Sequence, residues 1–136
     1  MTEATHWHPV AQVEDLRDTP LAATLLGHAL VLWRDGQGAA HAWSDRCPHR
    51  GASLSRGRVV PAPEAPGGAR LECPYHGWSF AADTRVARVP ALPDFVPPAT
   101  HRAHAHEVLE RNGLVWVRLE PGELDPPAFA AEDDAR

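Results

Sequence analysis

Apolar residues occur along this chain in short runs, and most of the runs end at glycine, proline or a polar turn. Residues 21–26 and 29–33 are two such runs separated by Gly27-His28, a pattern that predicts a β-hairpin. A polar, glycine-containing turn at residues 35–38 then leads to residues 39–43, which predict another strand. Runs this short are typical of strands rather than of amphipathic helices.

In the second half of the chain, the apolar runs again end at proline, glycine or polar turns. Residues 61–68 are rich in proline and glycine and predict an exposed loop between the apolar positions on either side. Residues 107–109 and 114–119 flank Asn112-Gly113, and Asn-Gly is the strongest short hairpin signal. Residues 120–136 are acidic and proline-rich, which predicts a tail or the start of a linker. The pattern as a whole predicts an all-β chain of one domain over residues 1–119.

The only two cysteines lie in two similar motifs, Cys47-Pro48-His49-Arg50-Gly51 and Cys73-Pro74-Tyr75-His76-Gly77-Trp78. Each motif supplies one thiolate and one imidazole, so together they could form a four-ligand metal site. Structural zinc is one alternative for such a set, and a site without metal is another. A zinc finger pairs cysteine with cysteine and histidine with histidine along the chain, whereas a mixed pair in each loop suits a Rieske-type [2Fe–2S] cluster, whose two irons have different ligands.

The two motifs resemble the Rieske family signature, Cys-x-His followed by Cys-x-x-His. The surrounding segments, at residues 7–11, 45–52, 73–80 and 113–117, are similar to the N-terminal domain of ring-hydroxylating oxygenase large subunits and to Rieske-type ferredoxins. The resemblance implies antiparallel sheets, with a base sandwich and an inserted cluster-binding subdomain at about residues 44–82. It also implies one cluster per chain.

By this resemblance the inner ferric iron would be bound by Cys47 and Cys73, and the outer, reducible iron by His49 and His76. Respiratory Rieske proteins add a disulfide between the loops and two hydroxyl groups near the cluster. Trp78 and Phe80 occupy the hydroxyl positions here. Hydrogen bonds to the cluster raise its potential, so we expect a value toward the low end of the Rieske range of about −150 to +300 mV.

The resemblance implies one-electron transfer, with a flavin-dependent reductase as electron donor and an oxygenase as acceptor. None of the other histidines forms a pair with a carboxylate at a suitable spacing, so the sequence predicts no mononuclear iron site. Whether the chain is an enzyme therefore stays open. Three roles are compatible with the sequence: a ferredoxin-like carrier, the N-terminal domain or a fragment of an oxygenase large subunit, and a non-catalytic redox sensor or regulatory subunit.

Charge and composition limit the classes of binding partner and the cellular compartment that we expect. The net charge of −5 argues against nucleic-acid binding, and no window approaches the roughly 20 apolar residues that span a bilayer. The N-terminus lacks signal-peptide features, which makes the cytoplasm the expected compartment. Four arginines near the first motif could steer an acidic redox partner, although ordinary solvated charge is the simpler interpretation; they are Arg46, Arg50, Arg56 and Arg58. The remaining histidines are expected to be solvated surface residues.

Overall fold

The computed structural model describes residues 5–48, 52–74, 78–88 and 102–120. In these residues the chain forms ten strands in two antiparallel sheets, with helical structure limited to three short 3-10 turns. The strands are β1 (His8–Gln12), β2 (Leu21–Leu25), β3 (His28–Arg34), β4 (Ala40–Ser44), β5 (Arg58–Pro61), β6 (Ala69–Glu72), β7 (Ser79–Ala81), β8 (Val86–Arg88), β9 (Ala105–Arg111) and β10 (Leu114–Arg118). The 3-10 turns are Val13–Asp15, Leu54–Arg56 and Pro66–Gly68. The predicted all-β class is confirmed.

The strand order shows a base and an insertion. The base is a six-stranded sheet in the order β1-β10-β9-β4-β3-β2, and the second sheet has four strands in the order β5-β6-β7-β8. All four strands of the second sheet lie between β4 and β9 in the chain. The inserted sheet therefore interrupts the base sheet in sequence, between β4 and β9, which is the architecture expected from the family resemblance.

Strands β3 and β4 are buried on both faces. Leu30, Leu32 and Ala42 pack with Val115 and Val117 into a core within the base. The intervening positions, Val31, Trp33 and Trp43, pack instead against the inserted sheet. Burial of each large apolar side chain contributes roughly 1.5–3 kcal/mol to the free energy of folding, so the packing of this second face stabilises the inserted sheet against the base.

The two predicted hairpins are present. The β9–β10 turn is made by Asn112 at φ 56° and Gly113 at φ 74°, the left-handed pair that a two-residue hairpin turn requires. The β2–β3 turn is made by Leu26 and Gly27, one residue earlier than the Gly27-His28 turn expected from the sequence, and His28 begins β3.

The proline- and glycine-rich stretch at residues 61–68 differs from the expected exposed loop, because part of it is packed against the base. The Gly36 N–H donates to the Gly67 carbonyl at 2.8 Å, and Ala62 is buried. A Cβ on Gly67 would lie 2.6 Å from the Cβ of Ala82, so only glycine permits this approach. The stretch thus connects the β3–β4 turn to the inserted sheet.

Candidate metal centre

Cys47 and Cys73 lie in one apolar core between the two sheets. They are 1% and 3% exposed, and neither forms a disulfide. Trp43 from the base and Trp78 and Phe80 from the inserted sheet belong to the same core. Two sulfurs buried among apolar side chains fit a cluster whose inorganic core must be shielded from water.

The two ligand loops, residues 47–52 and 73–78, are closed by the same backbone hydrogen bond. The Cys47 N–H donates to the Ala52 carbonyl at 2.7 Å, and the Cys73 N–H donates to the Trp78 carbonyl at 2.6 Å. In both loops the bond joins the cysteine to the residue five positions later. The similarity of the two sequence motifs therefore corresponds to a similarity of backbone at the base of each loop.

The loops differ in what supports them. The second loop connects β6 to β7, and the pairs Glu72↔Ser79 and Leu71↔Phe80 form a ladder directly beneath it. The first loop follows β4 and precedes the 3-10 turn Leu54–Arg56, and its flanks are not paired as strands. They are joined instead by a side chain: the Asp45 carboxylate accepts from the Ser55 N–H at 2.6 Å and from the Ser55 hydroxyl at 2.5 Å.

A close backbone contact brings the two loops together. Gly57 follows the 3-10 turn after the first loop, and Glu72 immediately precedes Cys73. A Cβ on Gly57 would lie 1.7 Å from the Glu72 carbonyl oxygen, far inside van der Waals contact. The absence of a side chain at Gly57 therefore allows the exit of the first loop to lie against the entry of the second.

The structure places only part of the sequence-predicted ligand set. It brings Cys47 and Cys73 into one core, whereas His49 and His76 lie outside the described residues. Among the predicted arginines, Arg46, Arg56 and Arg58 are exposed beside the first loop, and Arg50 is outside the described residues. Arg58 forms an ion pair with Glu72 at 2.8 Å, so part of its charge is compensated.

Two histidines are not the solvated surface residues that the sequence led us to expect. The His41 ring stacks on Trp33 with ring centroids 4.9 Å apart, and its Nε2 lies 2.8 Å from Oδ2 of the buried Asp35 carboxylate. His106 is half-buried between two elements of the base. The sequence contains a weak indication of the contact between His41 and Asp35, because the Asp35 turn and His41 lie at the two ends of the short connection between adjacent antiparallel strands.

The surroundings of His106 favour its neutral form. Its Nδ1 lies 3.1 Å from the Leu119 carbonyl and donates to it, which leaves Nε2 to accept from the Ser44 hydroxyl at 3.1 Å. Burial lowers the pKa of His106 below its usual range, and the nearby His104 and His28 lower it further. The Leu119 hydrogen bond opposes this shift without reversing it.

An inserted four-stranded sheet, with two cysteine-containing loops closed alike at its junction with the base, is the arrangement expected of a cluster-binding domain. Residues 6–110 match the Rieske [2Fe-2S] domain family, and the chain belongs to that family. Its cofactor is accordingly a Rieske-type [2Fe–2S] cluster.

The similar proteins include oxidoreductases and oxygenase components. The chain is 39% identical to the oxidoreductase NdmD of Pseudomonas putida over 89% of its own length, and 37% identical to the methylxanthine N1-demethylase NdmA of the same species over 96%. A crystal structure of dicamba monooxygenase superposes on 98% of the chain with a TM-score of 0.82 at 33% identity. The fold and the ancestry of the domain are thus those of Rieske oxygenase components.

The chain spans only part of these proteins. It covers 20% of NdmD, 37% of NdmA and 42% of the dicamba monooxygenase chain. Within the ranges that the structure describes, no helix is long and apolar enough to cross a bilayer.

Proposed function

We propose that this chain transfers single electrons through a low-potential Rieske cluster and serves an oxygenase as a ferredoxin-like component. The observation that carries the proposal is the presence of two buried cysteines, not joined by a disulfide, at the base of two equivalently closed loops in a chain of the Rieske family. The proposed ligands are Cys47 and Cys73 on one iron and His49 and His76 on the other. When bound, the cluster supplies a centre that accepts and releases one electron.

The surroundings of the cysteines support a low potential. Phe80 is fully buried and Trp78 is 6% exposed in the core that contains both thiols, and neither residue carries a hydroxyl group. Their ring carbons exclude water from this side of the site, and neither side chain supplies the hydroxyl donor that a serine or tyrosine would. The reduced state, which is the more negative one, therefore lacks that stabilisation.

The proposed electron path leads from a flavin-dependent reductase to an oxygenase, with the cytoplasm as the compartment. Arg46 and Arg56 are exposed on the flanks of the first ligand loop in a chain of net charge −5. A local positive surface of this kind would favour an acidic partner and would make the rate of electron transfer fall as ionic strength rises.

A second candidate is that these residues form the N-terminal Rieske domain of a longer oxygenase subunit. It is favoured by the length of the relatives, of which the chain spans from 20% in NdmD to 42% in dicamba monooxygenase. An immunoblot of the source cells separates the candidates, because the carrier predicts a native polypeptide of 136 residues and the domain predicts one several times longer.

The carrier proposal is tested with the 136-residue chain, reconstituted anaerobically with iron and sulfide. We expect a Rieske electron paramagnetic resonance spectrum after one-electron reduction, a midpoint potential below about +100 mV, and rapid reoxidation by an oxygenase component. In Cys47→Ser and His49→Ala variants this spectrum should disappear or change. An unchanged spectrum in either variant would refute the ligand assignment, and a potential above about +100 mV would refute the low-potential proposal.

A further inference from the structure

The flanks of the first ligand loop are joined in a way that the ligand motifs do not reveal. Asp45 lies two residues before Cys47, and Ser55 lies three residues after Ala52. One carboxylate oxygen of Asp45 accepts from the Ser55 backbone N–H at 2.6 Å, and the other accepts from the Ser55 hydroxyl at 2.5 Å. We call this pair the Asp45–Ser55 clasp.

The clasp encloses the backbone bond that closes the loop. The Cys47-to-Ala52 hydrogen bond is the inner closure and the clasp is the outer one. Both sides are fixed to the core of the protein: the Asp45 N–H donates to the Ala29 carbonyl of β3 at 2.9 Å, and Leu54, next to Ser55, is fully buried. The clasp thus connects the rigid base to the segment that leads into the inserted sheet.

The second loop has no need of such a clasp, because the β6–β7 ladder lies directly beneath it. The first loop has no paired strands at its flanks, so the Asp45 carboxylate takes the place of that ladder. Hydrogen bonds to a charged acceptor are about twice as strong as neutral ones, and two of them to one residue also fix its orientation. A site must hold its ligands within about 0.5 Å of their working geometry, which an unsupported loop would not achieve.

We propose that Asp45 and Ser55 are positioning residues for the cluster, which hold the first ligand loop closed over it and limit the rate at which the cluster is lost. The Asp45 carboxylate also contributes a fixed negative charge close to the first ligand loop, which disfavours the added electron. This inference rests on the proposed cluster-binding function, and it concerns residues that donate no ligand.

The test compares four variants of the reconstituted chain for the rate of cluster loss to a chelator, the midpoint potential and the spectrum of the reduced cluster. Asp45→Ala removes both hydrogen bonds and should accelerate cluster loss at least about tenfold. Ser55→Ala keeps the bond from the backbone N–H and should give an intermediate rate. Ser53→Ala is the matched control, because Ser53 lies in the same segment and its side chain makes no capping hydrogen bond.

Asp45→Asn separates geometry from charge. The asparagine amide can accept from the Ser55 N–H and donate to the Ser55 hydroxyl, so cluster loss should stay within about threefold of the natural protein. Removal of the charge should favour reduction by up to about tenfold, which corresponds to about 59 mV for one electron.

Two results would overturn the inference. One is loss of the cluster from Asp45→Ala at the natural rate with an unchanged reduced spectrum. The other is equal acceleration by Ser55→Ala and Ser53→Ala, which would indicate a general disturbance of the segment. If Asp45→Ala does not assemble a cluster, the milder Ser55→Ala variant decides between these outcomes. Failure of the natural chain to assemble any Rieske cluster would refute the proposed function and this inference together.

Discussion

Replacement of Gly57 by alanine should force the two ligand loops apart. The backbone at Gly57 has φ −84° and ψ −148°, and the substitution acts chiefly through the space that the new Cβ needs. That Cβ would lie 1.7 Å from the Glu72 carbonyl oxygen and 2.9 Å from the Glu72 carbonyl carbon. Both obstructing atoms belong to the backbone and cannot rotate away, so β5 and β6 must separate by more than about 1 Å.

The separation of β5 from β6 would occur beside Cys73, a proposed cluster ligand. Arg58↔Glu72 is the first pair of the β5–β6 ladder, and Cys73 follows Glu72 directly. Overpacking of this kind costs roughly 1–3 kcal/mol or more, and about 3 kcal/mol would lower the melting temperature of a domain this size by roughly 10 °C. A metal site tolerates displacements of only about 0.5 Å, so cluster content should fall further than stability does.

The assay measures iron and acid-labile sulfide per chain together with thermal unfolding followed by circular dichroism. Gly38→Ala is the control: Gly38 has φ +84° and no atom within 4 Å of its Cβ position, so alanine there strains the backbone without touching the site. That control should lose roughly 1–2 kcal/mol and keep its cluster. The reasoning is wrong if Gly57→Ala retains a full cluster at a natural melting temperature, or if Gly38→Ala loses the cluster equally.

Two further predictions concern the potential and the pH dependence. Phe80→Tyr introduces a hydroxyl into the buried core of the cysteines and should raise the midpoint potential, by about 59 mV if reduction becomes tenfold more favourable; Phe80→Leu, which adds no hydroxyl, is the control. An unchanged potential in Phe80→Tyr with a natural spectrum would contradict the explanation of the low potential. The lowered pKa of His106 means that the unfolded chain takes up its proton first as the pH falls below about 6.5, so stability should decline there. His106→Gln should flatten this decline between about pH 7 and 5.5 in thermal unfolding of the oxidised protein, and an equal slope in both proteins would exclude His106 as its source.

The sequence was sufficient for the features that are encoded locally. The left-handed pair Asn112-Gly113 specifies the β9–β10 hairpin whatever surrounds it, and the short apolar runs specify strands. The pairing of each cysteine with a histidine a few residues later likewise indicated a cluster site from one stretch of chain at a time. These predictions needed no knowledge of which segments meet in space.

The supports of the site could not be predicted in this way, because they join residues that are distant in sequence or unremarkable in type. Gly57 is one of ten glycines, and only its position against Glu72 shows why it cannot carry a side chain. The Asp45–Ser55 clasp uses two common polar residues ten positions apart. Burial of His106 depends on Ser44 and Leu119, which reach it from other parts of the base.

The apolar run at Leu30-Val31-Leu32-Trp33 contained more information than a strand prediction uses. A strand with one solvated face alternates apolar and polar residues, whereas an uninterrupted run indicates that both faces are covered. Here one face of β3 packs within the base and the other packs against the core of the cysteines. Strand β3 therefore belongs to the base sheet and also lines the metal centre, and its Ala29 carbonyl accepts the hydrogen bond from the Asp45 N–H. A change in the packing of β3 should consequently reach the first ligand loop directly, through Trp33 and Val31 on one side and through the Ala29 carbonyl on the other.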